Sequence, residues 1–147
     1  MIDAKVALII LFKDDALIDT LVSGRVYYDA ETFQEEVQGM AQKCISLNRS
    51  GGPEDNGYLE VNQERIDIKC WGETAREAMR VYSAVQDFLK RFTPKMVSTP
   101  DGLVKLYNCS RSAGPLELRD PDAEEWPIVW SSWLVKSHMV ETVAVSS

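Results

Sequence analysis

The chain has 147 residues, of which 45% are hydrophobic and 27% charged, and a formal net charge of −7. A chain of that length suits one domain, which buries about two-thirds of its unfolded surface. The acidic balance argues against a nucleic-acid-binding module, which usually carries a basic footprint, but it suits a surface that DNA merely slides past.

The first apolar run, residues 6–12, meets Lys13, Asp14 and Asp15 at once and is too short to span a membrane. No basic segment precedes it, so it does not read as a signal peptide, and a cytosolic site of synthesis is expected. Asp3 is placed to cap a first helix with Val6, Ile9, Ile10 and Phe12 on its apolar side. The charged step 13–15 predicts a bend. Residues 16–22 continue as a short second helix that Ser23 and Gly24 close, with Gly24 left-handed. Residues 25–28 then form a short strand.

Residues 29–38 are acidic and weakly patterned, with Asp29, Glu31, Glu35 and Glu36 close together. Such carboxylates can hold a cation or act as acid and base, but no calcium-loop spacing is present and a solvated surface is the simpler account. Residues 39–48 alternate, with Ala41, Ile45 and Leu47 on one side and Gln42, Ser46 and Asn48 on the other. Residues 49–57, RSGGPEDNG, are turn punctuation. This glycine-rich loop lacks the Gly-Lys-Ser/Thr ending of a phosphate cradle. Residues 58–61 resume an extended pattern. Residues 39–71 therefore predict a long antiparallel hairpin with an exposed tip.

Residues 65–71 carry Ile66, Ile68 and Cys70 on one side and Arg65, Asp67 and Lys69 on the other, the period of a half-buried strand. Gly72 breaks it. Thr74 followed by Glu77 forms a capping box. Ala75, Ala78, Met79, Tyr82, Val85, Leu89 and Phe92 then recur at three- and four-residue steps, predicting a helix over 73–92 that Pro94 ends. The strand is expected to be central and the helix to cover it.

Residues 95–101 read as a linker ending in a Pro-Asp-Gly turn. Residues 103–110 alternate with apolar members on both sides, so a strand buried on both faces or at a subunit contact is expected. Ser112, Gly114 and Pro115 interrupt, and 116–119 is a short extended piece. After the acidic turn 120–125, residues 126–136 are the last strand, with Trp126, Ile128, Trp130 and Leu134 facing one way and Val129, Trp133 and Val135 the other. Three tryptophans here are read as core packing and interface anchors rather than a base-stacking platform. The end of the chain, 140–147, is expected to fray unless it docks on a partner.

No catalytic signature emerges. Cys44, Cys70 and Cys109 are widely spaced and match neither a disulfide framework nor a zinc motif; they read as small core hydrophobes. Cys70 precedes a helix N-terminus, where a thiol can be activated, but no base lies beside it in sequence. The single histidine, His138, has no nucleophile near it in sequence.

A strand ending in Cys70-Trp71, then Gly72, then a capped helix of the form T-x-x-E-A (Thr74, Glu77, Ala78) resembles the phage tail terminator family, also called tail completion proteins. In that family the position of Gly72 is Gly or Ala. The best match spans residues 66–89. The order helix, break, short helix, glycine, Arg25-Val26-Tyr27 is similar to the family's N-terminal part, and an Asp-Pro acidic turn before an aromatic strand resembles its closing strand.

The expectation is one α+β domain over 1–147, a mainly antiparallel sheet with the long amphipathic helix and the N-terminal helical segment on one face. The resemblance implies a structural virion protein without catalytic, cofactor or metal sites. It would form a homo-oligomeric ring, six-membered in the family, on the tail tube, join it to the head-side connector and let the genome pass unbound. The residues expected at ring or tube contacts are Arg49, Ser50, Glu54, Asp55 and Asn56 in the hairpin tip and Glu31, Glu35 and Glu36 before it. Two other accounts are a different neck component, such as a head-completion or connector adaptor protein, and a small enzyme or ligand-binding domain using Cys70 or the acidic cluster.

Overall fold

A computed structural model describes residues 4–28, 43–49, 62–100, 102–120 and 126–142. Among them are the helices α1 (Ala4–Asp14), α2 (Ala16–Val22) and α3 (Ala75–Lys90). The strands are β1 (Val26–Tyr27), β2 (Cys44–Arg49), β3 (Asn62–Trp71), β4 (Lys95–Thr99), β5 (Gly102–Asp120) and β6 (Trp126–Thr142). The strands form one sheet in the order β1-β2-β3-β6-β5-β4. Among the described residues only the β1–β2 pair is parallel. This is the expected α+β architecture, with all three helices on one face.

β3 lies in the middle of the sheet because its alternation is the cleanest in the chain. Ile66, Ile68 and Cys70 are fully buried toward the helices. α3 crosses β3, β6 and β5. It buries Ala78, Val81, Tyr82, Val85 and Leu89, while Met79 and Phe92 are only half-buried and Ala75 is exposed. Its start is half of the predicted box. Thr74 Oγ1 accepts from the Glu77 amide at 3.2 Å, but the Glu77 carboxylate turns to Lys43 Nζ at 3.4 Å. Tyr82 pins α3 to β5 by accepting from Arg111 Nη1 at 3.1 Å.

α1 touches β1 and β2 at one edge and β4 and β5 at the other, so the sheet curls round it. Its buried side is Ala4, Ala7, Leu8 and Phe12, whereas Val6, Ile9 and Ile10 are half-buried. The expected face is therefore rotated. α1 is apolar nearly all round, and the alanines let the backbone approach the sheet more closely than the larger side chains would. Phe12 meets Phe88 of α3 edge to face, with centroids 5.6 Å apart. The bend at 13–15 is as expected: the Asp15 side chain accepts from the Ile18 amide at 3.0 Å and caps α2. Both Ser23 and Gly24 are left-handed, at φ 52° and 74°. The predicted cap at Asp3 lies outside the described residues.

Several strand expectations fail, among them the end of the last strand, which runs on to Thr142. Residues 95–101 are not a linker: β4 pairs with β5 from Lys95↔Leu106 to Thr99↔Gly102, and Val97 and Thr99 are buried. Pro100 and Gly102 of the Pro-Asp-Gly signal flank the point where that hairpin reverses. Nor do Ser112–Pro115 end a strand. β5 runs on through them, taking up the irregularity as register shifts against β6 between Arg111 and Leu116. The strand over 103–110 is also less two-sided than its composition implied. Val104 and Leu106 are buried, while Leu103, Lys105, Tyr107 and Cys109 are half-buried.

Candidate functional site

The thiols are core residues. Cys44 and Cys70 are fully buried, and Cys109 is half-buried on β5. Burial pushes all three above the ordinary thiol range, Cys109 up to about 12. Arg25 pulls Cys44 back only in part, and Cys44 adds to the rise at Cys70. A thiolate at Cys70 would sit uncompensated in the apolar layer under α3, so the activated-nucleophile reading has no geometric support. Native labelling at pH 8 is expected to leave Cys44 and Cys70 unmodified, with rapid reaction once the chain is denatured; fast modification of Cys70 in the native protein would contradict this. The linkage has a definite sign. The unfolded chain loses thiol protons near pH 8.5, whereas the folded chain holds that of Cys109 to about 12. The stability contributed is thus full below about pH 8.5 and is lost as pH rises toward 12.

His138 is half-buried and faces Lys105 across the β5–β6 pair. Among the described residues no group of three or more His, Cys, Asp or Glu is placed to hold a metal. An open groove of about 580 Å³ lies between α2 and α3, lined among others by Leu17, Leu21, Met79, Arg76, Arg80 and Glu117.

What the fold does offer is surface. Cross-strand register puts the residues between the buried ones on the convex face, away from the helices. There Trp71, Ile128 and Leu118 form one row and Lys69, Trp130 and Leu116 the next. Arg65, Leu134 and Ser110 make a further row, and Asp67 and Ser132 lie between. One end of this face closes on itself. Trp71 stacks edge to face on Trp126 at 6.3 Å, beside Cys44, Ile128 and Tyr27, and Trp71 Nε1 donates to Ser46 Oγ at 3.1 Å. Toward β5 the face is open. Leu116 and Leu118 are 50% and 42% exposed, and Trp130 and Leu134 are half-buried.

Of the residues expected at contacts, Arg49 is described. It ends β2 with its Nε 3.3 Å from Glu64 Oε2, so its charge is already partly engaged within the hairpin. Ser50, Glu54, Asp55, Asn56, Glu31, Glu35 and Glu36 lie outside the described residues. Sequence reasoning did not single out Leu116 and Leu118. Their spacing of two, in register with Ile128 and Trp130, was the available signal. The chain matches no protein-family model and no curated protein.

Proposed function

We propose that this protein is a ring-forming tail terminator of a tailed phage, acting by shape rather than by chemistry. The observation that supports the reading best is the strand–glycine–capped-helix element, Cys70-Trp71-Gly72 leading to Thr74, Glu77 and Ala78, at the centre of a sheet with helices on one face. A sheet covered on one side needs cover or polarity on the other. The exposed Leu116 and Leu118 on that second side are apolar surface for which a neighbouring subunit is a natural cover. Repeated head-to-tail contacts between unlike surfaces close into rings. The annulus would cap the tail tube, present its other side to the head-side connector, and repel the passing genome through its net negative charge. Interface burial, at about 25 cal/mol per Å² of apolar surface less the cost of ordering, supplies the driving force.

The test is loss of the gene in a producing phage. Tail tubes of uncontrolled length without attached heads are the expected result. Tails of normal length, capped and merely unjoined, would point to the alternative of a head-completion or connector adaptor protein.

A further inference from the structure

The net charge of this chain is unevenly distributed. Residues 29–42 contain Asp29, Glu31, Glu35 and Glu36 and no base. The convex sheet face has the opposite balance. Arg65, Lys69, Lys105 and Lys136 share it with Asp67 as its one carboxylate among residues whose side chains are described. Lys69 pairs with Trp130, Arg65 pairs with Leu134, and Lys136 follows Leu134 by two residues, so these three edge the apolar patch of Trp130, Leu134, Leu116 and Leu118, while Lys105 lies farther along opposite His138. The acidic stretch also holds the apolar residues Ala30, Phe33, Val37 and Met40.

We propose that the convex face around Trp130, edged by Lys69 and Lys136, receives the acidic stretch 29–42 of the next copy of this chain. The inference rests on the ring reading and names its receiving surface. A cationic rim round an apolar floor selects a ligand with carboxylates flanking apolar anchors, and complementary charge fixes orientation as well as encounter rate. The two surfaces are unlike, so the contact is heterologous and can repeat round a ring. It also gives Leu116 and Leu118 an apolar partner that the described part of their own chain leaves out.

The experiment mixes full-length chains of natural and heavy nitrogen, joins amines to carboxylates with a zero-length carbodiimide, and maps the linked peptides of the oligomer. Mixed-isotope links from Lys69 or Lys136 to Glu31, Glu35 or Glu36 are expected. The double change Lys69→Glu, Lys136→Glu should weaken association by about tenfold or more. Adding Glu31→Lys, Glu35→Lys and Glu36→Lys to the same chain should restore it. An annulus that forms with undiminished affinity after the first change, or whose links fall elsewhere, overturns this contact and leaves the ring reading standing. Links only within one chain, or protection of Lys69 and Lys136 by duplex DNA in place of self-association, also overturn it. A chain that stays monomeric both alone and on tail tubes overturns the contact and the ring together.

Discussion

Replacing Gly72 by alanine is expected to destabilise the fold by about 3 kcal/mol, lowering the melting temperature by about 10 °C. The residue is buried where β3 hands over to α3. A Cβ there would fall on the amide nitrogen of Ala78, 2.8 Å from the Glu77 carbonyl carbon and 2.9 Å from the Glu77 Cβ. Two of these are backbone atoms in the first turn of the helix, so the clash cannot be relieved by turning a side chain. The helix must lift from the strand end, and the contacts of Ala78 and Tyr82 with the sheet go with it. Thermal melts of the purified variant check this. A melting temperature within about 2 °C of the parent would mean that the β3–α3 junction has more room than these distances allow.

Trp133 and Trp130 should separate folding from assembly. Trp133 is 2% exposed in the main core, and its Nε1 donates to Ser131 Oγ at 2.9 Å. Trp133→Ala is expected to cost about 3–5 kcal/mol, because it removes the buried ring, leaves a cavity and strips a buried hydroxyl of its donor. Trp130 faces the other way and is half-buried on the convex side. Trp130→Ala should cost the isolated chain about 1 kcal/mol and yet abolish association at concentrations where the parent assembles. Denaturant melts read the first quantity and sedimentation the second. Equal effects of the two changes on folding, with none on association from Trp130→Ala, would remove the convex face from the account.

The fold was legible wherever pattern and punctuation agreed. Ile66, Ile68 and Cys70 kept a strict period of two, Gly72 ended it, and Thr74 opened a helix with a clear apolar stripe. Residues 95–99 were illegible because Val97 is their one large buried apolar residue, and the prolines on either side read as loop. Gly114 and Pro115 misled for a related reason. Breakers signal irregularity, and a long hairpin can absorb irregularity as a bulge. Ser46 reads as a solvent-side position in an alternating strand, yet it is buried, as are Ser131, Ser132 and Ser137. Ser46 accepts from the indole of Trp71, 25 residues away, a pairing that no local sequence pattern encodes, and Ser131 accepts from the indole of Trp133 two residues on. The side of α1 that faces the sheet could not be chosen from a helix apolar nearly all round. For the candidate surface, composition gave the acidic stretch but not its counterpart. The cations of the convex face come from β3, β5 and β6 and become neighbours only through strand register.

The most direct test of function is a reconstruction of the assembled phage particle with this chain located in it. The account predicts a closed annulus of copies on the tail axis, between the last ring of the tube and the head-side connector, with the convex sheet face of each copy against its neighbour. An isolated copy off that axis would contradict it.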